Sequence, residues 1–250
     1  MTNTLVAEWI KLRTILAHWV LAIVAFAFPV VVVTLVSLFG DFGFGLRSEE
    51  VAGLIVGLTI VSAMVLGAMS TISLTGDYAH DTIRPTYAAT PDRWRVIVSK
   101  LLVNSTVVLA VTAAAVAVSW LIASLVLAGR DLSISLGEGD VVVTLVAVIA
   151  LAVCVTWFGF GLGLIIRNSP VTITVLLLWP LLIENLIALV FLPLGWEGAN
   201  KWLPYQAAIN AVAGDGSDDA LGRPWGLVYF AAVALALVGV GTWLDQRRDA

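Results

Sequence analysis

Six long apolar stretches, separated by short polar segments, set the pattern of this chain. A membrane-spanning helix needs about 20 consecutive, mostly apolar residues, and each of the six stretches is long enough. They cover approximately residues 19–39, 51–73, 101–127, 141–166, 171–194 and 225–244. The pattern predicts an all-α, polytopic membrane protein with six transmembrane helices and a single transmembrane domain over residues 1–250.

The composition agrees with this pattern. Hydrophobic residues make up 60% of the 250 residues and charged residues only 12%, whereas a soluble domain carries about 25% charged residues. The single cysteine, Cys154, lies inside an apolar stretch. We interpret it as a packing residue, since one cysteine permits no disulfide within the chain.

The positive charges are unevenly distributed among the loops. If the N-terminus is cytoplasmic, nine of the 13 Lys and Arg residues fall in cytoplasmic segments, namely Lys11, Arg13, Arg84, Arg93, Arg95, Lys100, Arg167, Arg247 and Arg248. The other four, Arg47, Arg130, Lys201 and Arg223, fall outside. Because short cytoplasmic loops are enriched in Lys and Arg, we predict that both termini are cytoplasmic.

The residues before the first apolar stretch have a helical pattern of their own. Apolar side chains recur at helical spacing, at Leu5, Trp9, Leu12 and Leu16. Charged side chains fall between them, at Glu8, Lys11 and Arg13. This pattern is typical of a helix that lies on a membrane surface, so we predict an amphipathic interfacial helix over residues 1–17. The alternative is a charged segment that only orients the first span.

Residues 76–100, GDYAHDTIRPTYAATPDRWRVIVSK, concentrate charge and two prolines between two apolar stretches. Thr90, Pro91 and Asp92 have the chemistry of a helix start. Thr caps a first turn, Pro lacks an N–H that would have no partner there, and Asp favours the positive end of a helix. We predict a short helix over GDYAHDTIR, a break at Pro85, and a second helix that runs from Pro91 into the third span.

The same loop carries aromatic and apolar side chains, at Tyr78, Ile83, Tyr87 and Trp94. A positively charged cytoplasmic loop explains the arginines of this segment, and that interpretation stays open. It explains the aromatic residues less well. We therefore interpret the segment as a surface that docks against another protein.

These residues also resemble a known family, the membrane subunits of bacterial ABC exporters of the type-two permease family. In that family the loop after the second span has an acidic residue, a Gly-Thr-(Ile/Leu)-Arg pattern, a Thr-Pro-x-Arg-like step and a Lys at the foot of the third span. This chain has Asp77, then Asp81-Thr82-Ile83-Arg84, then Thr90-Pro91-Asp92-Arg93, then Lys100. Asp77 stands where Glu is usual and Asp81 where Gly is usual, and the second departure affects how tightly the loop turns.

Two further segments resemble the same family. The opening residues, with Glu8, Trp9, Lys11 and Arg13, resemble its opening surface helix, and Leu203-Pro204-Tyr205 precedes the last span as it does in the family. The resemblance implies the permease subunit of an ATP-driven exporter in the bacterial cell membrane. It also implies that residues 76–98 form a cytoplasmic coupling region that rests on a separate ABC ATPase subunit.

The resemblance implies a set of coupling residues and a set of partners. The coupling residues are Asp77, Asp81, Thr82, Ile83, Arg84, Thr90, Pro91, Arg93 and Lys100. The partners are the ATPase, a second permease subunit in a homodimer or heterodimer, membrane lipid, and a hydrophobic or amphipathic substrate such as a drug, a peptide or a lipid. No nucleic-acid partner is implied, and multidrug efflux is the expected kind of transport.

The chain lacks the motifs that would make it an enzyme by itself. It contains no G-x-x-x-x-G-K-[ST] phosphate loop and no H-E-x-x-H zinc motif. We therefore expect a non-catalytic permease with no cofactor or metal of its own, whose ATP and Mg²⁺ are bound by the partner ATPase. Glu49 and Glu50 resemble the paired glutamates of CAAX-type intramembrane proteases, but they lie in a predicted external loop.

Glu184 and Asn185 are polar residues in the middle of the fifth predicted span. A charge at the bilayer centre costs about 2.5–3.5 kcal/mol on insertion scales, so we expect both residues to face the protein interior or a wet cavity. They either line the translocation path or a subunit interface, or they join helices by hydrogen bonds. A self-contained ion-coupled transporter or intramembrane enzyme that uses Glu184 is the alternative function.

Proline and glycine residues predict further details of the helices. Pro180 removes a backbone hydrogen bond and predicts a kink in the fifth span. The pairs Gly53/Gly57 and Gly159/Gly163 have the spacing that permits close helix approach, within one subunit or at a dimer seam. Before the last span, PYQAAINAV predicts a short interfacial helix that ends near Gly214.

Overall fold

The computed structural model describes residues 2–40, 47–80, 82–89, 92–191, 197–214 and 220–247. Within these ranges the chain is helical and contains no strand. The helices are α1 (Thr2–Thr14), α2 (Leu16–Phe39), α3 (Ser48–Ala79), α4 (Ile83–Ala89), α5 (Arg93–Ala128), α6 (Val141–Ile166), α7 (Ser169–Leu178), α8 (Glu184–Phe191), α9 (Pro204–Ala213) and α10 (Trp225–Arg247).

The predicted membrane architecture is confirmed at the level of helices. Six helical segments in the described part of the chain are long and apolar enough to cross a membrane: α2, α3, α5, α6, the segment Ser169–Phe191, and α10. They match the six predicted spans, although α3 continues to Ala79 and α5 already begins at Arg93. Both helices therefore extend past the apolar stretch at the same end of the bundle, because polar side chains there find partners within the protein.

The fifth span is interrupted where the sequence predicts a kink. A single π-helical turn, Trp179–Ile183, joins α7 to α8 and contains Pro180. Asn185 donates hydrogen bonds from its side chain to the carbonyl oxygens of Pro180 and Leu181, at 3.1 and 3.0 Å. A proline has no N–H group and so cannot donate the backbone hydrogen bond of a regular helix. The wider π-helical turn leaves carbonyl oxygens without backbone donors, and the side-chain amide of Asn185 donates to two of them.

Helix α6 is central and packs between α3 and α10. Gly159 faces α3, where a Cβ atom on it would lie 3.0 Å from Thr71 Oγ1 and 3.2 Å from the carbonyl oxygen of Gly67. Gly161 faces α10, where a Cβ would lie 2.7 Å from Leu237 Cβ. A Cβ on Gly163 would likewise lie 3.2 Å from Leu74 Cδ2 on α3. Larger residues at these positions would require the neighbouring atoms to shift, so the Gly159/Gly163 motif serves packing within one chain.

The other small-residue pair behaves differently. Among the residues that the structure describes, a Cβ atom on Gly53 or on Gly57 would meet nothing within 4 Å. Both glycines border a cleft of about 460 Å³ that α3, α6 and the end of α9 form at the end of the bundle opposite α1. Neither glycine therefore packs against a helix in the described part of this chain.

The short helix before the last span is present but is not a surface helix. Helix α9 ends at Gly214, whose φ of 76° lies in the left-handed region that glycine adopts without strain. Tyr205, Ala207, Ala208, Ala211 and Val212 of this helix are buried. It is inserted against α6 and α10, because its alanine-rich face is narrow enough to approach them closely.

Candidate functional site

Polar side chains converge at one end of the bundle, which we call the basic end. It comprises α1, the last turn of α3, α4, the first turns of α5, and the ends of α6 and α10. Two buried polar clusters lie there on either side of the α3 end. Asp77 belongs to the first cluster, and the next residue, Tyr78, belongs to the second.

The first, the Lys100 cluster, consists of Glu8, Lys11, Asp77 and Lys100. The Lys100 side chain is only 2% exposed, and its Nζ lies 2.5 Å from Glu8 Oε2 and 2.9 Å from Asp77 Oδ2. Lys11 contacts the same carboxylates from the half-exposed side, at 3.4 and 3.3 Å. Two carboxylates and two ammonium groups thus balance their charges and join α1 to α3 and α5.

The electrostatics of the cluster favour the charged form of Lys11. Burial works to lower the pKa of Lys11, but the carboxylates of Glu8 and Asp77 outweigh it and hold the pKa above its ordinary value. The buried Lys100 gains a third acceptor, the carbonyl oxygen of Ser73 at 3.1 Å. A buried ammonium group is tolerated only with such a complete set of partners.

The second, the Asp245 cluster, consists of Tyr78, Tyr87, Arg167 and Asp245. The Asp245 carboxylate is 1% exposed. It accepts hydrogen bonds from the Tyr78 hydroxyl at 2.6 Å, the Tyr87 hydroxyl at 2.8 Å and the Arg167 guanidinium at 2.5 Å. Arg93 joins from α5 by donating to the backbone carbonyl of Asp245 at 2.8 Å. One carboxylate of α10 therefore connects α3, α4 and α6.

Cations and aromatic rings pack face to face around this carboxylate. The Arg167 guanidinium lies 4.8 Å from the centre of the Tyr78 ring, and that of Arg93 lies 5.0 Å from the centre of the Tyr87 ring. Burial raises the pKa of Tyr87 well above its ordinary value, and the neighbouring Tyr78 hydroxyl and Asp245 raise it further. The Tyr87 hydroxyl thus remains a hydrogen-bond donor.

Helix α4 lies across the first turns of α5 and presents an outer face. Ile83 and Tyr87 are buried against Val96 of α5, with Tyr78 packed beside them. Pro85 and Ala88 are exposed on the other side, and Trp94 is 43% exposed nearby. The side of α4 that carries Tyr87 is therefore connected to the bundle, while the side that carries Pro85 is open.

Two sequence-based expectations about this region need correction. The segment GDYAHDTIR does not form a separate short helix, because residues 76–79 continue α3 and the short helix is α4. Pro85 does not break the two apart, since it lies in the first turn of α4. The N–H groups of a first helical turn have no partner within the helix, so a proline is tolerated there.

The remaining predicted coupling residues have mixed placements. Asp77 and Lys100 share the Lys100 cluster, and Arg93 reaches the Asp245 cluster. Thr82 donates a hydrogen bond to Asp77 Oδ1 at 2.9 Å. Asp81, Thr90, Pro91 and the side chain of Arg84 lie outside the described residues. Helix α5 begins at Arg93 with Asp92 as its N-cap residue, close to the predicted start.

A helix is present within the predicted segment, as α1 over Thr2–Thr14, but its charged residues do not all face outward. Glu8 is 4% exposed and points toward Lys100, while Trp9 and Arg13 are exposed. Within a membrane protein the surroundings of a helix are themselves apolar, so a charged residue gains most from partners inside the protein. The position of α1 on a membrane surface stays a prediction.

Glu184 faces the interior as expected and joins two segments, whereas the expectation for Asn185 was wrong, since its side chain is exposed. Its side chain is fully buried and accepts three N–H groups, from Trp179 Nε1 at 3.0 Å and from the backbones of Tyr205 and Gln206 at 2.8 and 2.9 Å. These backbone groups belong to the first turn of α9, whose own N-cap residue, Leu203, offers no side-chain acceptor. Glu184 therefore caps α9 from another helix.

Sequence reasoning missed the importance of Arg167 and Asp245. In the sequence, Arg167 is only one of nine cytoplasmic cations, and neither Arg167 nor Asp245 lies in the loop of residues 76–100. The available signal was weak: Asp245 lies two residues before Arg247 at the end of the last span, in a segment predicted to be cytoplasmic. In the described part of the chain, no group of three or more His, Cys, Asp or Glu residues is placed to hold a metal ion.

Comparison with models of protein families, with curated proteins and with solved structures gives no match for this chain. The resemblance to exporter permeases therefore rests on the quoted motifs and on the architecture to which they belong.

Proposed function

We propose that this chain is the permease subunit of an ATP-driven ABC exporter in a bacterial cell membrane, with both termini in the cytoplasm. The observation that carries the proposal is the attachment of α4. This short helix lies outside the apolar bundle, yet Tyr87 joins it directly to the carboxylate of Asp245 on α10. A loop that served only to connect two spans would need no such buried hydrogen bond to a carboxylate on another helix.

In this proposal the ATPase subunit rests on the open side of α4. This surface includes Pro85 and Ala88 of α4 and the neighbouring Trp94. Exposed aromatic residues favour protein interfaces. The chain itself has no phosphate loop, so ATP and Mg²⁺ bind to the partner. Closure of two ATPases would displace α4 at the basic end.

The Asp245 cluster supplies the route by which such a displacement reaches the spans. Tyr87 and Arg93 move with α4 and the start of α5, and both contact Asp245 of α10. Arg167 carries the same displacement to the end of α6, and Tyr78 to the end of α3. A compact ionic cluster transmits motion because separating its members leaves buried charges without partners.

A second permease subunit, identical or paralogous, completes the transporter in this proposal. The helices α2, α7 and α8 bury few residues in the chain itself, which leaves apolar faces for lipid and for a second subunit. A hydrophobic or amphipathic substrate, such as a drug, a peptide or a lipid, suits a path between two such faces.

The alternative function, an ion-coupled transporter or an intramembrane enzyme built on Glu184, receives less support. All three groups that contact the Glu184 carboxylate are N–H donors. Its oxygens are thus occupied as the cap of α9, and their release would leave these N–H groups without partners, which is costly for buried groups. The geometry favours a structural carboxylate.

The first experiment is purification of the tagged chain from its native membrane in mild detergent, with identification of the proteins that accompany it. A stoichiometric ATPase with a phosphate loop is the expected result. Reproducible absence of any ATPase from intact, folded protein would overturn the exporter proposal and direct attention to Glu184.

A pair of variants then tests the coupling route. Arg93→Glu should leave membrane insertion and ATPase association intact but lower substrate transport relative to ATP hydrolysis, because a carboxylate would face Asp245. Arg247→Glu is the matched control, since Arg247 lies at the same end and stacks on Trp243 outside both clusters. Equal transport by the two variants would contradict the coupling role of Arg93.

A further inference from the structure

An apolar cavity of about 430 Å³ lies between α1, α2 and α5 at the basic end. Its walls are formed by Trp9, Leu12 and Arg13 of α1, His18, Trp19 and Ala22 of α2, and Thr106, Val107, Ala110 and Val111 of α5. A second apolar cavity of about 480 Å³ shares Trp9 and Thr106 with it. Ligand sites typically have volumes of about 300–1,000 Å³, so either cavity accommodates part of a ligand.

The buried ring of His18 marks this cavity as a candidate site. His18 is 2% exposed, and neither of its ring nitrogens has a hydrogen-bond partner within the described part of the chain. A buried polar group without a partner is costly and rare in native structures. Because His18 forms part of the cavity wall, a ligand with an oxygen acceptor would satisfy it.

The charge at the cavity favours an anionic ligand. Arg13 lies at the wall, and among the residues that the structure describes no carboxylate is within ion-pair distance of its guanidinium. None of the described residues that line the cavity is an Asp or a Glu. The carboxylates nearby, Glu8 and Asp77, are already held by Lys11 and Lys100. An anion placed here would therefore meet Arg13 without facing a negative charge.

The corner between α1 and α2 keeps these groups in place. Trp19 donates a hydrogen bond from Nε1 to the backbone carbonyl of Arg13 at 2.9 Å. The bond fixes Arg13 near the first turn of the membrane-spanning α2. Trp9 and Trp19 both line the cavity, and indole rings favour the headgroup region of a bilayer.

We propose that this cavity binds one anionic phospholipid of the leaflet that faces the basic end. An acyl chain fills the apolar space between α2 and α5, the phosphate lies at Arg13, and His18 donates a hydrogen bond to a phosphate or ester oxygen. Basic pockets between helices are known to bind anionic headgroups. The site is independent of any exported substrate.

The test uses the full chain, purified in mild detergent, freed of native lipid and mixed with defined phosphatidylglycerol or phosphatidylcholine. Native mass spectrometry then counts the lipids that remain bound. One phosphatidylglycerol per chain should be retained in preference to phosphatidylcholine. Ala110→Phe, which fills the cavity, and Arg13→Ala, which removes the cation, should each weaken retention by about tenfold.

Two matched controls make the result interpretable. Ala117→Phe adds the same ring to an exposed position two turns along α5 and outside the cavity, and Arg247→Ala removes a cation at the same end. Both should retain phosphatidylglycerol like the unaltered protein. Equal retention of the two lipids, or equal behaviour of Ala110→Phe and Ala117→Phe, would overturn the proposal. The exposed position of Arg13 makes Arg13→Ala informative even if Ala110→Phe does not fold.

Discussion

Replacing Lys100 with Met should destabilise this protein more than almost any other single change of charge. Methionine keeps the length and helix propensity of lysine but removes the ammonium group, which is 2.5 Å from Glu8 and 2.9 Å from Asp77. Both carboxylates are largely buried, at 4% and 13% exposure of their side chains. The variant leaves them close together with only Lys11 as a counter-ion.

The size of the effect follows from the burial of the partners. Removing one member of a buried ion pair costs about 3–5 kcal/mol, because the other member stays buried without compensation. Lys11 offsets part of this cost, but its side chain is 35% exposed and 3.3–3.4 Å from the carboxylates. We therefore expect Lys100→Met to lower the free energy of unfolding by about 3 kcal/mol, the lower end of that range.

The assay is unfolding in mixed detergent micelles, followed by circular dichroism. Arg95→Met is the matched control, since Arg95 pairs with Asp92 at 3.0 Å but both side chains are about half exposed. An exposed pair contributes about 0–1 kcal/mol. In the double variant Glu8→Gln/Lys100→Met, part of the lost stability should return, because one buried carboxylate is removed together with the cation.

The outcome that refutes this reasoning is equal stability of Lys100→Met and Arg95→Met. It would mean that the carboxylates of the Lys100 cluster are neutral or solvated. Failure of Glu8→Gln to restore any stability in the Lys100→Met background would show that Glu8 and Lys100 are not coupled.

Three further changes test other parts of the structure by the same unfolding assay. Glu184→Gln should cost about 1.5–3 kcal/mol, because an amide has one acceptor oxygen for three N–H groups. Gly161→Ala should cost about 1–3 kcal/mol, since its methyl group would lie 2.7 Å from Leu237 Cβ. Tyr87→Phe should cost about 1.5–3 kcal/mol, because it removes the 2.8 Å hydrogen bond to the Asp245 carboxylate.

Each of these three has a control and an opposing outcome. Gln206→Ala keeps the backbone N–H and should leave the Glu184 cap intact; a loss as large as that of Glu184→Gln would contradict the cap. The methyl group of Gly57→Ala meets no atom of the described residues within 4 Å and should not destabilise, so equal effects at Gly57 and Gly161 would count against the close packing of α6 and α10. Tyr229→Phe removes a hydrogen bond to a neutral carbonyl, at 2.9 Å from the Trp202 oxygen, and should cost less than Tyr87→Phe.

The sequence by itself determined the number and approximate limits of the spans, because an apolar stretch long enough to cross a membrane is a local property. Local chemistry also determined the end of α9 at Gly214 and the irregular turn at Pro180. In each case the deciding residue acts on its own backbone or on the adjacent turn, so no distant partner is needed for the prediction.

Only the tertiary structure decided which polar groups meet. Glu8 and Lys100 are 92 residues apart, and Tyr87 and Asp245 are 158 residues apart. When each of these residues is considered only in its own segment, the sequence indicates a polar side chain exposed to solvent. In an apolar environment a charge is stable only beside a partner, and that partner is chosen by helix packing. The helix periodicity of α1 therefore predicted a helix, but it could not predict that Glu8 faces inward.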